Sequence, residues 1–174
     1  PSLYRRVAAQ LINPADAFGA ADFDVKTMGQ SLTRDAIVEA FPLRPVPLYR
    51  LSDAIVADDF GSRTNVFDEQ WETWDQIETW QIEKCEVFFS YAPPSAAAYV
   101  TPRFMVYVLN EVSDPATASG SNSGDCFVWW LQKLKRSGFE GFPFSLRQRS
   151  VIEMFLQCLE ADPNYRITLE VGNA

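Results

Sequence analysis

With 174 residues, 47% of them hydrophobic and 14% aromatic, the chain can bury one substantial core but is short for two, so a single domain over residues 1–174 is expected. It has no histidine, which removes Ser-His-Asp triads, Cys-His dyads and the usual histidine-bearing zinc sites. A net charge of −8 disfavours nucleic-acid backbones as ligands and favours basic proteins.

No apolar run approaches the roughly 18 residues a membrane span needs, so no membrane partner is expected. The basic start at Arg5-Arg6 leads into an apolar run broken at Gln10, Asn13 and Pro14, a poor match to a secretory signal. Cys85, Cys126 and Cys158 form no CxxC pair and leave one odd thiol, which fits a reducing, cytoplasmic compartment.

In chain order, Leu3, Val7 and Leu11 recur at four-residue spacing, predicting a short amphipathic helix that Asn13-Pro14 ends. A loop follows to Gln30. Thr33 suits an N-cap, and Asp35 in the first turn complements the dipole of a helix from about Thr33 to Phe41 burying Ile37, Val38 and Phe41. Pro42, Pro45 and Pro47 then enforce an extended connection. Val46 to Val56 is ambiguous between helix and strand, and the prolines favour an extended stretch followed by a turn.

Trp71, Trp74, Ile77 and Trp80 fall three residues apart, which suits a short 3₁₀-like or irregular piece. Ile82, Cys85 and Phe89 make a cleaner stripe for a helix from about Thr79 to Phe89. Pro93-Pro94-Ser95 opens a short alanine-rich helix, and Thr101-Pro102 starts a new one, with Met105, Val108, Leu109 and Val112 on its buried face. Asp114 to Gly124 is a polar loop that lacks the endings of phosphate-binding loops. Asp125 can cap the next helix, whose Phe127, Trp130, Leu131 and Leu134 repeat the helical spacing; the adjacent Trp129 and Trp130 should divide between surface and core, and Gly138 stops the helix. Ser145 and Gln148 form a capping box before Ile152, Phe155, Leu156 and Leu159, and Asp162-Pro163 closes that helix. Tyr165, Ile167, Leu169 and Val171 alternate with polar residues, the pattern of a strand. The expected class is therefore mainly α, a single compact helical domain with a short C-terminal strand or hairpin.

Three segments are familiar together: the aromatic run Phe88-Phe89-Ser90-Tyr91-Ala92-Pro93-Pro94, then Tyr99-Val100-Thr101-Pro102-Arg103-Phe104-Met105, then Phe144-Ser145-Leu146-Arg147-Gln148-Arg149. They resemble an uncharacterised bacterial family of small helical proteins with "YYLP"-like and "FT/S-x-x-Q-R" helix starts, over about Arg34 to Glu160. Val100-Thr101 departs from the more usual Leu before Pro102. The resemblance implies a mostly helical domain and supplies no catalytic residues.

The charge is concentrated. Asp53 to Glu86 holds ten acids against Arg63 and Lys84, a local charge of −8 that equals the whole chain's, and three of the five tryptophans. Asp58, Asp59, Asp68, Glu69, Glu72, Trp74, Asp75 and Glu78 are the candidate partner-binding residues, an acidic surface with an aromatic anchor. Such a surface suits a basic protein, most concretely a toxin neutralised by a bacterial immunity protein. No catalytic residue, metal ligand or cofactor is assigned. Two readings stand beside this one. Pairs such as Asp68 with Glu72, or Glu72 with Asp75, could serve a carboxylate-dependent or metal-assisted enzyme. The Tyr165 to Val171 strand could pair between subunits in a structural role.

Overall fold

The computed structural model describes residues 32, 34–63, 66–113 and 121–161, with the backbone alone at 111–113. The expected N-terminal helix, the Thr33 cap, the Asp162-Pro163 stop and the Tyr165 to Val171 strand lie outside the described residues. The protein is mainly helical, with seven α-helices and one 3₁₀ turn among the described residues and no strand there.

Helix α1, Arg34–Ala40, buries Ile37 and Ala40 and delivers Phe41 to the core. After an extended passage the chain forms α2, Leu51–Asp58, where an extended stretch and a turn were expected. Two carboxylates explain the difference. Asp53 accepts a hydrogen bond from the Arg50 amide at 2.8 Å, and Glu69 receives the amides of Leu51 and Ser52 at 3.1 and 2.7 Å. A helix N-terminus needs partners for its unpaired amides, and here most of that service comes from a residue on another segment.

The 3₁₀ turn Trp74–Gln76 follows, as the three-residue spacing of the tryptophans predicts. Then the single helix expected from Thr79 to Phe89 divides into α3, Thr79–Glu83, and α4, Phe88–Tyr91. Between them the amides of Cys85 and Phe88 each reach back only three residues, to Ile82 and Cys85. Carbonyls at this break also take partners from far along the chain: the Ser123 hydroxyl donates to the Ile82 carbonyl at 2.8 Å and the Ser121 hydroxyl to that of Glu83 at 2.9 Å. The break also lets adjacent aromatics both serve the core. Phe88 is fully buried, and Phe89 stacks on Trp130 with ring centroids 4.3 Å apart.

Helix α5 runs unbroken from Pro94 to Ser113, so Thr101-Pro102 lies inside one helix and does not begin a second. Proline at 102 withholds one backbone hydrogen bond from the Ala98 carbonyl, while the buried Thr101 hydroxyl donates to the Ala97 carbonyl at 2.8 Å. Three alanines of high helix propensity and a dense apolar face carry the helix past the proline. Met105 and Val108 are fully buried, as their spacing predicts.

Helices α6, Ser123–Arg136, and α7, Leu146–Ala161, complete the architecture. The first ends in a Schellman motif: the amides of Phe139 and Gly138 bond to the carbonyls of Leu134 and Lys135, both at 3.0 Å, and Gly138 has φ +66°. The second opens on the expected capping box, with the Ser145 amide donating to Gln148 Oε1 at 2.9 Å and the Gln148 amide to Ser145 Oγ at 3.2 Å. Helix α5 packs against α1, the 3₁₀ turn and α6, while α7 closes on α1 and α6. One aromatic cluster joins them, in which Phe127 meets Phe104 at 5.3 Å and Phe155 at 6.0 Å. No described helix is long and apolar enough to cross a membrane.

Candidate partner-binding surface

The acidic segment begins in α2, whose apolar side is fixed by the buried Leu51 and Ala54. Its C-terminus is built against two local preferences. Helix carbonyls accumulate partial negative charge at this end, which favours Lys or Arg in the last turn. Here the last turn has no base, and Asp58 and Asp59 close the helix. The chain then leaves through Phe60. The Gly61 amide bonds to the Val56 carbonyl at 2.7 Å, which makes this a Schellman ending with Phe60 in the left-handed position that glycine usually fills. Phe60 has φ +52° and its ring is completely exposed. Burial therefore does not explain a phenylalanine there.

Beside this corner lies a cleft of about 600 Å³ lined by Ile55, Asp58, Asp59, Val66, Glu83, Lys84, Glu86 and Val87. The lining carries four carboxylates, one lysine and the apolar Ile55, Val66 and Val87, and the Lys84 ammonium lies 5.3 Å from the Trp80 ring. Packing of α2 against α4 brings the two acidic stretches together. Glu86 Oε1 accepts the Asn122 amide at 3.0 Å, which fixes that wall of the cleft to the start of α6. Asp58 Oδ1 accepts the Tyr91 hydroxyl at 2.9 Å, and that bond raises the phenol's pKa above its ordinary value.

Of the eight residues proposed from the sequence, Asp58 and Asp59 line this cleft and the others do not. Trp74 is a correction. It is 2% exposed and donates its indole N–H to the Phe41 carbonyl at 3.1 Å, so it anchors the core and not a partner. Large size and three-residue spacing in a charged segment do not distinguish the two roles; the indole's hydrogen-bond partner does, and it lies 33 positions away. Glu69 is half-buried and committed to the N-terminus of α2. Asp75 accepts the Thr73 hydroxyl at 2.6 Å. Asp68 accepts the Gln70 amide at 2.7 Å and is exposed, as is Glu72. Glu78 is exposed and takes the indole N–H of Trp80.

Glu83, Glu86 and Phe60 were missed as site residues. The two glutamates belong to the same acidic segment, but only the break between α3 and α4 turns them toward α2. Phe60-Gly61 after two aspartates was the available signal for an exposed helix end.

The three cysteines are free. Burial, and next the charge of Glu69, push the Cys85 thiol far above its ordinary range, so it is an inert core group. Cys126 is exposed, yet desolvation and next the charges of Glu86 and Asp125 raise its thiol too. Among the described residues no group of three or more Cys, Asp or Glu side chains is arranged to hold a metal ion. No family model, curated protein or solved structure matches this chain.

Proposed function

We propose that the protein is a non-enzymatic binding module that captures a basic protein through the acidic cleft between α2 and the α3–α4 turn. The observation that carries this reading is the C-terminus of α2, where two aspartates replace the preferred bases and an exposed phenylalanine replaces the preferred glycine. Each choice works against the local fold, and local rules are most often broken where function requires it. Together they present charge for a Lys or Arg, an apolar lining for its methylene stem, and an aromatic ring to enter the partner. Phe60 replaces Trp74 as the anchor of the acidic surface.

The concrete form of the role is an immunity protein that neutralises a cognate toxin in the cytoplasm. Support comes from the acidic charge, from three free cysteines suited to a reducing compartment, and from electrostatic steering, which speeds capture of a basic partner. Affinity purification with the tagged protein from its own cells, at low salt, tests it. A basic protein should be recovered with the wild type and lost with Asp58→Lys/Asp59→Lys/Glu83→Lys. Equal recovery with a folded triple variant would reject the reading.

A further inference from the structure

Among the described residues, helix α6 is buried along one side. Phe127, Val128, Leu131 and Leu134 are buried where it packs against α4, α5 and α7. On the other side Asn122, Asp125, Trp129, Lys133 and Arg136, three or four residues apart, are all exposed. Their charge changes sign along the helix. Asp125 lies in the first turn, and Lys133 and Arg136 lie in the last. Glu86 adds a second carboxylate to the acidic end by accepting the Asn122 amide at 3.0 Å. After burial, the charges of these two carboxylates are what raise the neighbouring Cys126 thiol. The helix dipole accounts for both charged ends. It does not account for the residue between them. Trp129 stands four positions from Asp125 and Lys133 and seven from Asn122 and Arg136, and it is 57% exposed. The Lys133 ammonium lies 5.5 Å from its ring.

A stripe whose charge reverses about a central aromatic is complementary to itself when turned end for end. We infer that the exposed face of α6 docks on the same face of a second copy of this chain, antiparallel about a two-fold axis at Trp129. Each Asp125 then faces Lys133 of the second copy, and Glu86, at the Asn122 end, faces its Arg136. The two Trp129 rings meet at the axis. Such a contact uses one patch on both copies and closes at two, and antiparallel helices also oppose their dipoles. From Asn122 to Arg136 the stripe is about 21 Å long at the helical rise. One helix face is smaller than a standard interface, so the dimer should be weak and reversible. Two chains of charge −8 repel as wholes, but that repulsion is screened beyond about 8 Å at physiological salt, whereas the opposed pairs act at contact. Asp58 and Asp59 take no part in the pairing, so dimerisation and capture of a basic partner are separate properties.

Sedimentation velocity of the full chain, from about 10 μM to about 1 mM at physiological salt, tests this. A monomer–dimer equilibrium is expected. Trp129→Ala, Asp125→Lys and Lys133→Glu should each weaken it about tenfold or more, the two reversals because each sets like charges opposite one another twice. Mixing the Asp125→Lys chain with the Lys133→Glu chain should restore the dimer, since each reversal then meets the other across the axis. All three variants change exposed side chains, and circular dichroism checks that they fold. Trp129→Ala keeps the test valid if either reversal does not. A wild-type chain that stays monomeric up to about 1 mM would overturn the inference. So would a dimer unmoved by these variants, or two folded reversals that fail to associate when mixed.

Discussion

Two helix ends show how single residues divide between stability and recognition. Gly138 fills the left-handed position after α6, and Phe60 fills the equivalent position after α2. A left-handed conformation costs a side-chain-bearing residue about 1–2 kcal/mol, less for asparagine. Phe60→Asn should therefore raise the unfolding free energy by about 0.5–1 kcal/mol in urea titration while weakening partner binding. A stabilised variant with undiminished binding would remove Phe60 from the interface. Gly138→Ala should do the reverse, lowering stability by about 1 kcal/mol and leaving binding alone.

Titration makes a second residue-scale prediction. Burial raises the Cys85 thiol and the Tyr49 phenol, and the Asp58 hydrogen bond raises the Tyr91 phenol. Each folded-state pKa lies above its unfolded value, so the folded chain retains protons that the unfolded chain has released. Stability from these groups is complete below the unfolded values and is lost as pH rises through the folded ones. The melting temperature should begin to fall above about pH 8.5, with the thiol first. Cys85→Ala should make the loss in the thiol range smaller, the raised Cys126 thiol still contributing there, as a series of thermal melts from neutral to alkaline pH can show.

At the scale of elements, what the sequence made legible was what neighbouring residues decide. The Ser145-Gln148 capping box, the Gly138 stop, the buried stripes of α6 and α7 and the short 3₁₀ turn all rest on contacts within a few positions. Helix α2 was illegible because its cap, Glu69, stands 18 and 17 positions beyond the amides it serves. The α3–α4 break was illegible for the same reason, since Ser121 and Ser123 donate to its carbonyls from about forty positions away. Thr101-Pro102 misled in the opposite direction: a valid local start signal was overridden by packing on both sides. Glu69→Ala should consequently destabilise the protein by about 1–2 kcal/mol, read as a lower urea midpoint, because two helix amides lose a charged acceptor. A neutral outcome would show that α2 does not depend on its distant cap.

For the whole molecule, the carboxylates of the acidic segment divide by place: some brace the ends of elements and others line one cleft. Glu69 caps α2 and Asp75 accepts the Thr73 hydroxyl, while Asp58, Asp59, Glu83 and Glu86 line one cleft, where Asp58 and Glu86 also accept the Tyr91 hydroxyl and the Asn122 amide. Sequence showed the charge concentration but not this division, because Glu69 and Glu83 look alike until the backbone turns between α3 and α4. Four of the ten acids in the fifth of the chain that carries the net charge line this cleft. The remainder of the chain is neutral and is free to be shaped by packing.

The most direct measurement is the affinity of the co-purified basic partner as a function of salt, for the wild type and for folded Asp58→Lys/Asp59→Lys/Glu83→Lys. Wild-type affinity should fall as salt rises, and the reversal should weaken low-salt binding by about a hundredfold or more. Affinity that is insensitive to salt and unchanged by the reversal would contradict recognition through the acidic cleft.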